Sequence, residues 1–126
     1  MDAQKVLIVD DEEELVLTLI ERLQMRGMLA EGVYNGHAAL ERIEEGGIDV
    51  VVVDLKMPGL SGLDLSEAIA RRFPEVAVIL ITGHGAEQHD EKEHRIENLE
   101  VLLKPFKLED FMAVVERLRE TRRSAK

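Results

Sequence analysis

The sequence predicts an α/β fold in which helices cover both faces of a five-stranded parallel sheet, a doubly wound arrangement. Short apolar runs rich in β-branched residues alternate with segments whose apolar residues recur at helical spacing. Two of the runs, 49–53 and 76–81, are apolar without alternation, as is typical of parallel strands buried on both faces. Strand and helix alternate along 126 residues without a linker or a repeat, so we expect one domain with right-handed crossovers.

The first predicted helix has the clearest pattern in the chain. Leu15, Leu19 and Leu23 form one apolar stripe at four-residue spacing, and Gly27 is placed where a helix would end. The five predicted strands share branched aliphatic residues and lie at 5–9, 29–33, 49–53, 76–81 and 99–103.

Three further helices are predicted from the same spacing and from their stop signals. The second contains Leu40 and Ile43 and ends at Gly46 and Gly47, and the third ends before Pro74. The third helix buries Leu65, Ala68, Ile69 and Phe73, and the last buries Leu108, Phe111, Met112, Val115 and Leu118.

Residues 86–98 occupy the place of one more helix but lack an apolar stripe. Apart from Ala86, Ile96 is their single apolar residue, so a helix here would gain little from burial to offset its ordering entropy. We therefore predict that this segment changes its order when the protein switches state. The alternative is an ordinary exposed helix held by Ile96 and by pairs such as Glu91 with Arg95. Amide hydrogen exchange distinguishes the two.

Composition limits the classes of function. Apolar residues make up 45% and charged residues 33%, as in soluble globular proteins, and the absence of cysteine excludes a disulfide scaffold. No apolar run approaches a membrane span, so we expect a cytoplasmic protein that does not bind membranes. The formal net charge of −10 argues against direct binding of nucleic acid.

Polar side chains stand at the ends of the predicted strands. Asp10 and Asp11 follow the first strand, Asp54 the third, Thr82 the fourth and Lys104 the fifth. Because the carboxyl ends of parallel strands meet at one edge of a sheet, we expect these side chains to converge. Each alone would be read as a helix N-cap, a turn residue or a surface lysine, but all five together point to a site.

Three converging carboxylates need a compensating charge. Two like charges about 4 Å apart repel by roughly 4 kcal/mol at an effective dielectric constant near 20. A hard divalent cation with oxygen ligands offsets this repulsion, and Mg²⁺ also pairs with phosphate oxygens. A carboxylate beside Mg²⁺ and an ammonium group can act as a nucleophile toward a phosphoryl group and form an aspartyl phosphate.

Four segments together resemble the receiver domain of bacterial two-component response regulators, over nearly the whole chain. They are "VLIVDDEEEL", "VVVVDLKMPGLSGLDL", "VILITGHG" and "LLKPF". The resemblance implies a flavodoxin-like fold, one receiver domain over 1–126 with its core at 5–121, and a polar, basic tail at 119–126.

The resemblance also implies a role for each site residue. Asp54 is expected to accept the phosphoryl group, with Thr82 and Lys104 contacting it. Asp10, Asp11 and Asp54 are expected to hold Mg²⁺, Asp10 mostly through a water, together with the backbone carbonyl of Lys56. It further implies that the peptide bond between Lys104 and Pro105 is cis.

The expected activity is signalling and not catalysis on a separate substrate. The resemblance implies that a sensor histidine kinase or a histidine phosphotransfer protein donates the phosphoryl group. The domain would catalyse only its own phosphorylation and dephosphorylation, and would relay the signal to an effector domain or protein. The alternative is a pseudo-receiver, an interaction module that works without phosphorylation. Lys56 and His84, each two residues beyond a site residue, are predicted to tune the lifetime of the acyl phosphate.

Two positions depart from the family pattern. Val101 stands where the family usually has an aromatic ring three residues before the lysine, and Glu97 and Asn98 replace a common Gly-Ala turn. These changes leave the phosphorylation chemistry in place and affect the expected output mechanism.

Other functions fit the same residues poorly. The loop "DDEEE" after the first strand would repel a flavin phosphate, and "GHGAEQ" lacks the last glycine of a dinucleotide fingerprint. An aspartate-based phosphatase usually has a second acid where this chain has Lys56. His84, His89 and His94 are spaced by five residues, which scatters them around a helix and disfavours a metal site.

Overall fold

Five parallel strands form one sheet. The computed structural model describes residues 5–83 and 99–124, with side chains to residue 118. The strand order is β2-β1-β3-β4-β5, the flavodoxin-like order, so the predicted doubly wound fold is confirmed. The strands are β1 (Lys5–Val9), β2 (Leu29–Val33), β3 (Val50–Asp54), β4 (Ala77–Thr82) and β5 (Leu99–Leu103).

Helices cover both faces of this sheet, two on each face within the described residues. On one face, two helices pack their apolar residues against Val6, Ile8 and Val52, and on the other face two pack against Leu7, Val9 and Val53. The first pair is α1 (Glu13–Met25) with α4 (Leu108–Ser124), and the second is α2 (Gly36–Glu44) with α3 (Gly62–Arg72).

Two inner strands of the sheet, β3 and β4, are buried along their whole length. Every residue of β3 and of β4 is buried, which confirms the prediction from their uninterrupted apolar runs. β3 and β4 each begin and end one residue later than predicted. The later end of β4 follows from its ladder to β5, which continues to the pair Thr82 and Leu103. The backbone N–H of Lys104 then donates to the Thr82 carbonyl at 2.8 Å, so β5 holds the end of β4 in place.

The predicted stop of α1 has a defined hydrogen-bond pattern. Gly27 has φ of 83°, its N–H donates to the Gln24 carbonyl, and the Met28 N–H donates to the Leu23 carbonyl. This is a Schellman motif, and Met28 and Leu23 are both buried in the same core cluster, a contact that often accompanies such motifs. The turn therefore ends α1 and aims the chain into β2.

An ion-pair cluster joins β1, β2 and α2 near the edge of the sheet. Glu31 Oε1 accepts a hydrogen bond from Arg42 Nε at 2.7 Å, and Glu31 Oε2 accepts one from Arg42 Nη2 at 3.1 Å. Lys5 Nζ lies 2.8 Å from the same Oε2. The hydrogen bonds from Arg42, followed by those from Lys5, lower the pKa of Glu31 from 4.5 to about 2. Sequence spacing did not predict this cluster because its members are distant along the chain.

Several sequence predictions fall outside the described residues. The predicted order change of residues 86–98 and the role of His84 lie there and stay predictions. Within 5–83 and 99–124, no helix combines the length and apolar character needed to span a membrane.

Candidate phosphoacceptor site

The site lies at the carboxyl edge of the sheet, between β1 and β3. β1 lies between β2 and β3, so the connections that leave the ends of β1 and β3 diverge and open a crevice. Asp54 is the last residue of β3, and Asp10 directly follows β1. The topology therefore brings residues distant in sequence to one place, as the sequence predicted.

Three carboxylates meet in this crevice. Asp10, Asp11 and Asp54 each offer a carboxylate oxygen, and these oxygens lie within 4.8 Å of one another. Asp10 is 3% exposed and Asp54 is 7% exposed, whereas Asp11 faces solvent. The cluster is thus buried on the sheet side and open on the side of Asp11.

Burial changes the protonation of Asp10. It raises the pKa of Asp10 from 3.8 to about 6, and the negative charge of Asp54 adds to this effect. The backbone N–H of Glu12 donates to Asp10 Oδ1 at 3.0 Å and acts in the opposite direction. Without a cation, ionisation of Asp10 near neutral pH therefore lowers the stability of the folded protein.

Asp54 has the same conflict between burial and charge. Burial raises its pKa, and the Lys104 ammonium, with Nζ 3.6 Å from Asp54 Oδ1, opposes that rise. The backbone N–H of Lys56 also favours the ionised form, while the charge of Asp11 disfavours it. Lys104 is therefore placed to pair with the carboxylate predicted to be the nucleophile.

Thr82 contributes a buried hydroxyl to the site. It lies at the end of β4, one residue beyond Ile81, which is the register partner of Asp54 in the sheet. Its Oγ1 is buried and has no hydrogen-bond partner among the described residues. Buried hydroxyls are normally hydrogen-bonded, so this one fits a site in which a ligand oxygen completes its bonding.

The turn after β5 places Lys104 next to Thr82. The peptide bond between Lys104 and Pro105 is cis, as the resemblance implied. The Lys104 backbone N–H donates to the Thr82 carbonyl, so the residue after β5 is held beside the end of β4.

The donor set fits a magnesium ion. Carboxylate oxygens are hard ligands, and the open side at Asp11 leaves room for the waters that Mg²⁺ retains. Asp10, Asp11 and Asp54 are the side chains that would hold it. Lys56 lies in the loop after β3 with an exposed side chain, and the role of its carbonyl stays a prediction.

Sequence reasoning missed one residue at this site. Gly62, the first residue of α3, packs directly on the backbone of Asp54 and Leu55. A glycine just after the N-cap Ser61 was the available signal, but helical spacing does not show what a helix end touches.

Comparisons with known proteins agree with this geometry. Residues 6–116 match the family profile described as the response regulator receiver domain. The chain is 30% identical over 118 residues to the uncharacterized transcriptional regulatory protein YkoG of Bacillus subtilis, covering 90% of this chain and 50% of YkoG. It is 31% identical over 112 residues to the DNA-binding transcriptional regulator NtrC of Escherichia coli, covering 89% of this chain and 24% of NtrC. The chain thus spans half or less of the length of these two relatives.

A solved structure shows the same fold at similar identity. The response regulator protein TrrA of Thermotoga maritima, in complex with Mg²⁺-BeF, superposes with a TM-score of 0.81 at 30% identity, over 91% of this chain and 98% of TrrA. TrrA has also been solved in complex with the histidine kinase ThkA. From the profile match and these similarities, the chain belongs to the response regulator receiver domain family of two-component systems.

Proposed function

We propose that this chain accepts a phosphoryl group on Asp54 in a Mg²⁺-dependent reaction and relays the signal by changing conformation. One observation carries the proposal. A buried carboxylate at a strand end lies beside two further carboxylates, with an ammonium group 3.6 Å away. In this arrangement a nucleophile and the charges that stabilise a transferred phosphoryl group stand together.

The reaction is a displacement at phosphorus. A carboxylate oxygen of Asp54 bonds to the phosphorus of a phosphohistidine, the bond from phosphorus to the imidazole nitrogen breaks, and the donor histidine keeps that electron pair. The ammonium of Lys104 offsets charge on the phosphoryl oxygens, and the hydroxyl of Thr82, which has no partner among the described residues, donates to one of them. Mg²⁺ held by Asp10, Asp11 and Asp54 would supply positive charge to these oxygens. Later attack of water on phosphorus breaks its bond to the Asp54 oxygen, which releases inorganic phosphate and regenerates the carboxylate.

The donor fits a sensor histidine kinase or a histidine phosphotransfer protein. The similarity to TrrA, which was solved with the histidine kinase ThkA, supports this class of partner. An apolar groove of about 600 Å³ next to Lys104, lined by Leu15, Gly83, Pro105 and Phe106, offers a surface on which such a donor can rest.

The output partner follows from the lengths of the relatives. Because the chain matches half or less of YkoG and NtrC, we infer that an effector domain or a separate effector protein receives the signal. The net charge of −10 disfavours binding of nucleic acid by this domain, so we assign any such binding to the effector. The protein would act in the cytoplasm and catalyse only its own phosphorylation and dephosphorylation.

Labelling from a small phosphodonor tests the proposal. Wild-type protein is incubated with radiolabelled acetyl phosphate and Mg²⁺, beside Asp54→Ala and a matched control, Asp110→Ala, which removes an exposed acid at the start of α4. We expect label in the wild type and the control, none in Asp54→Ala, and none after chelation of the metal. Absence of label in folded wild-type protein would favour the pseudo-receiver, and label that persists without metal would exclude the magnesium assignment.

A further inference from the structure

Gly62 touches the phosphoacceptor through the main chain. A β-carbon built at Gly62 would lie 2.2 Å from the carbonyl oxygen of Asp54 and 2.6 Å from Cα of Leu55. Both are backbone atoms of the strand end, so no side-chain rotation can relieve the overlap. The requirement for glycine here comes from this close approach and not from a positive φ angle.

The backbone beneath Gly62 is held from the other side by β4. The Leu55 N–H donates to the Ile81 carbonyl at 2.8 Å, and the Leu55 carbonyl accepts from the Gly62 N–H at 2.9 Å. The peptide that joins Asp54 to Leu55 is thus confined between β4 and the first turn of α3.

The first turn of α3 is itself fixed. The Ser61 hydroxyl oxygen accepts from the Asp64 N–H at 3.1 Å, which caps the helix. The Ser66 hydroxyl, on a fully buried side chain, donates to the Gly62 carbonyl at 2.8 Å. Neither side of the contact between α3 and Asp54 is therefore free to shift at low cost.

We propose that Gly62 is a positioning residue for phosphoryl transfer. Its missing side chain lets α3 rest on the Asp54 carbonyl, and this contact sets where the Asp54 carboxylate lies relative to Asp10, Asp11 and Lys104. Gly62 acts through Asp54 and touches neither metal nor phosphoryl group. The inference rests on the proposed function and deepens it.

The overlap sets the size of the expected effect. Moving a β-carbon from 2.2 Å to ordinary contact with the Asp54 oxygen requires a displacement of about 1 Å. A misplacement of about 1 Å can slow a reaction by roughly 100-fold. We therefore expect Gly62→Ala to lower the phosphorylation rate by about tenfold to 100-fold.

The experiment compares Gly62→Ala with Gly32→Ala. A β-carbon at Gly32, in β2, would lie 2.3 Å from Cγ1 of Val16, which is a comparable overlap with a side chain away from the site. Circular dichroism confirms folding, isothermal titration calorimetry gives the Mg²⁺ affinity of the unphosphorylated proteins, and acetyl phosphate labelling gives the rate. Gly62→Ala should lose both Mg²⁺ affinity and rate, whereas Gly32→Ala should lose only stability.

A second pair of variants covers the case in which Gly62→Ala does not fold. Ser66→Ala removes the hydrogen bond to the Gly62 carbonyl without inserting an atom, and the control Arg72→Ala removes a hydrogen bond to Glu44 at the opposite end of α3. We expect a several-fold loss of Mg²⁺ affinity and rate in Ser66→Ala and neither loss in Arg72→Ala.

Each outcome has one meaning. Wild-type Mg²⁺ affinity and rate in folded Gly62→Ala, or in Ser66→Ala if Gly62→Ala is unfolded, would overturn the positioning role. Equal losses in Gly62→Ala and Gly32→Ala would also overturn it, because they would reflect general destabilisation. A wild-type protein that takes no label would instead refute the proposed function, and the Mg²⁺ affinities would still test Gly62.

Discussion

Replacing Asp10 with asparagine should stabilise the metal-free protein near neutral pH. Burial raises the pKa of Asp10 from 3.8 to about 6. A carboxyl group with a raised folded-state pKa binds its proton more tightly when folded, so its ionisation lowers the free energy of unfolding. This penalty is absent below 3.8, grows as the pH rises and is complete above about 6. Asparagine removes the charge and keeps an oxygen that can accept from the Glu12 N–H.

The pKa shift sets an upper limit on the gain. A rise from 3.8 to about 6 is about 2 pH units, which corresponds to about 3 kcal/mol at most. Because the cluster opens to solvent at Asp11, screening reduces the value, and we expect a gain of about 1 to 2 kcal/mol.

Urea unfolding followed by far-ultraviolet circular dichroism, with a chelator present, measures this gain. Asp10→Asn is compared with the wild type near neutral pH and near pH 4, beside Glu41→Gln, which removes an exposed charge on α2. The gain should appear only in Asp10→Asn and should shrink near pH 4, where wild-type Asp10 is protonated. An unchanged or lower stability near neutral pH, or the same gain at both pH values, would contradict the destabilisation by ionised Asp10.

Four further substitutions test other side chains. Glu31→Gln should lower the free energy of unfolding by only about 1 kcal/mol near neutral pH, because its partly exposed ion pairs are strongly screened. Since the folded pKa of Glu31 is about 2, the stabilisation is present above pH 4.5 and is lost as the pH falls toward 2. An equal loss of stability in urea unfolding at both ends of this range would contradict the role of these ion pairs. Lys104→Met should slow acetyl phosphate labelling by about tenfold or more, because it removes the ammonium beside Asp54, and a wild-type rate would exclude a role in transfer. Lys56→Ala and His84→Ala should each change the dephosphorylation rate several-fold while leaving phosphorylation possible, as followed by loss of label; unchanged rates in both variants would reject this role.

The sheet and the convergence of the site were predictable because both follow from strand ends. The uninterrupted apolar run before Asp54 predicts a strand buried on both faces, and parallel strands place Asp10, Thr82 and Lys104 at the same edge. The sequence shows which residues stand at the strand ends, and the parallel topology places these ends, and therefore the residues, close together.

The contacts that fix the site were not predictable in the same way. The overlap between Gly62 and the Asp54 carbonyl depends on the angle at which α3 meets β3, and apolar spacing does not encode this angle. The bonds from Arg42 and Lys5 to Glu31 depend on strand register and helix placement together. Such contacts require coordinates because they combine residues from separate elements.

Mass spectrometry of the phosphorylated protein identifies the residue that carries the phosphoryl group. Wild-type protein treated with acetyl phosphate and Mg²⁺ is trapped, digested and sequenced, with parallel samples treated with hydroxylamine, which cleaves acyl phosphates. We expect one phosphoryl group on the peptide that contains Asp54, sensitive to hydroxylamine and absent when the metal is chelated. A phosphoryl group on another residue, or one that resists hydroxylamine, would contradict it.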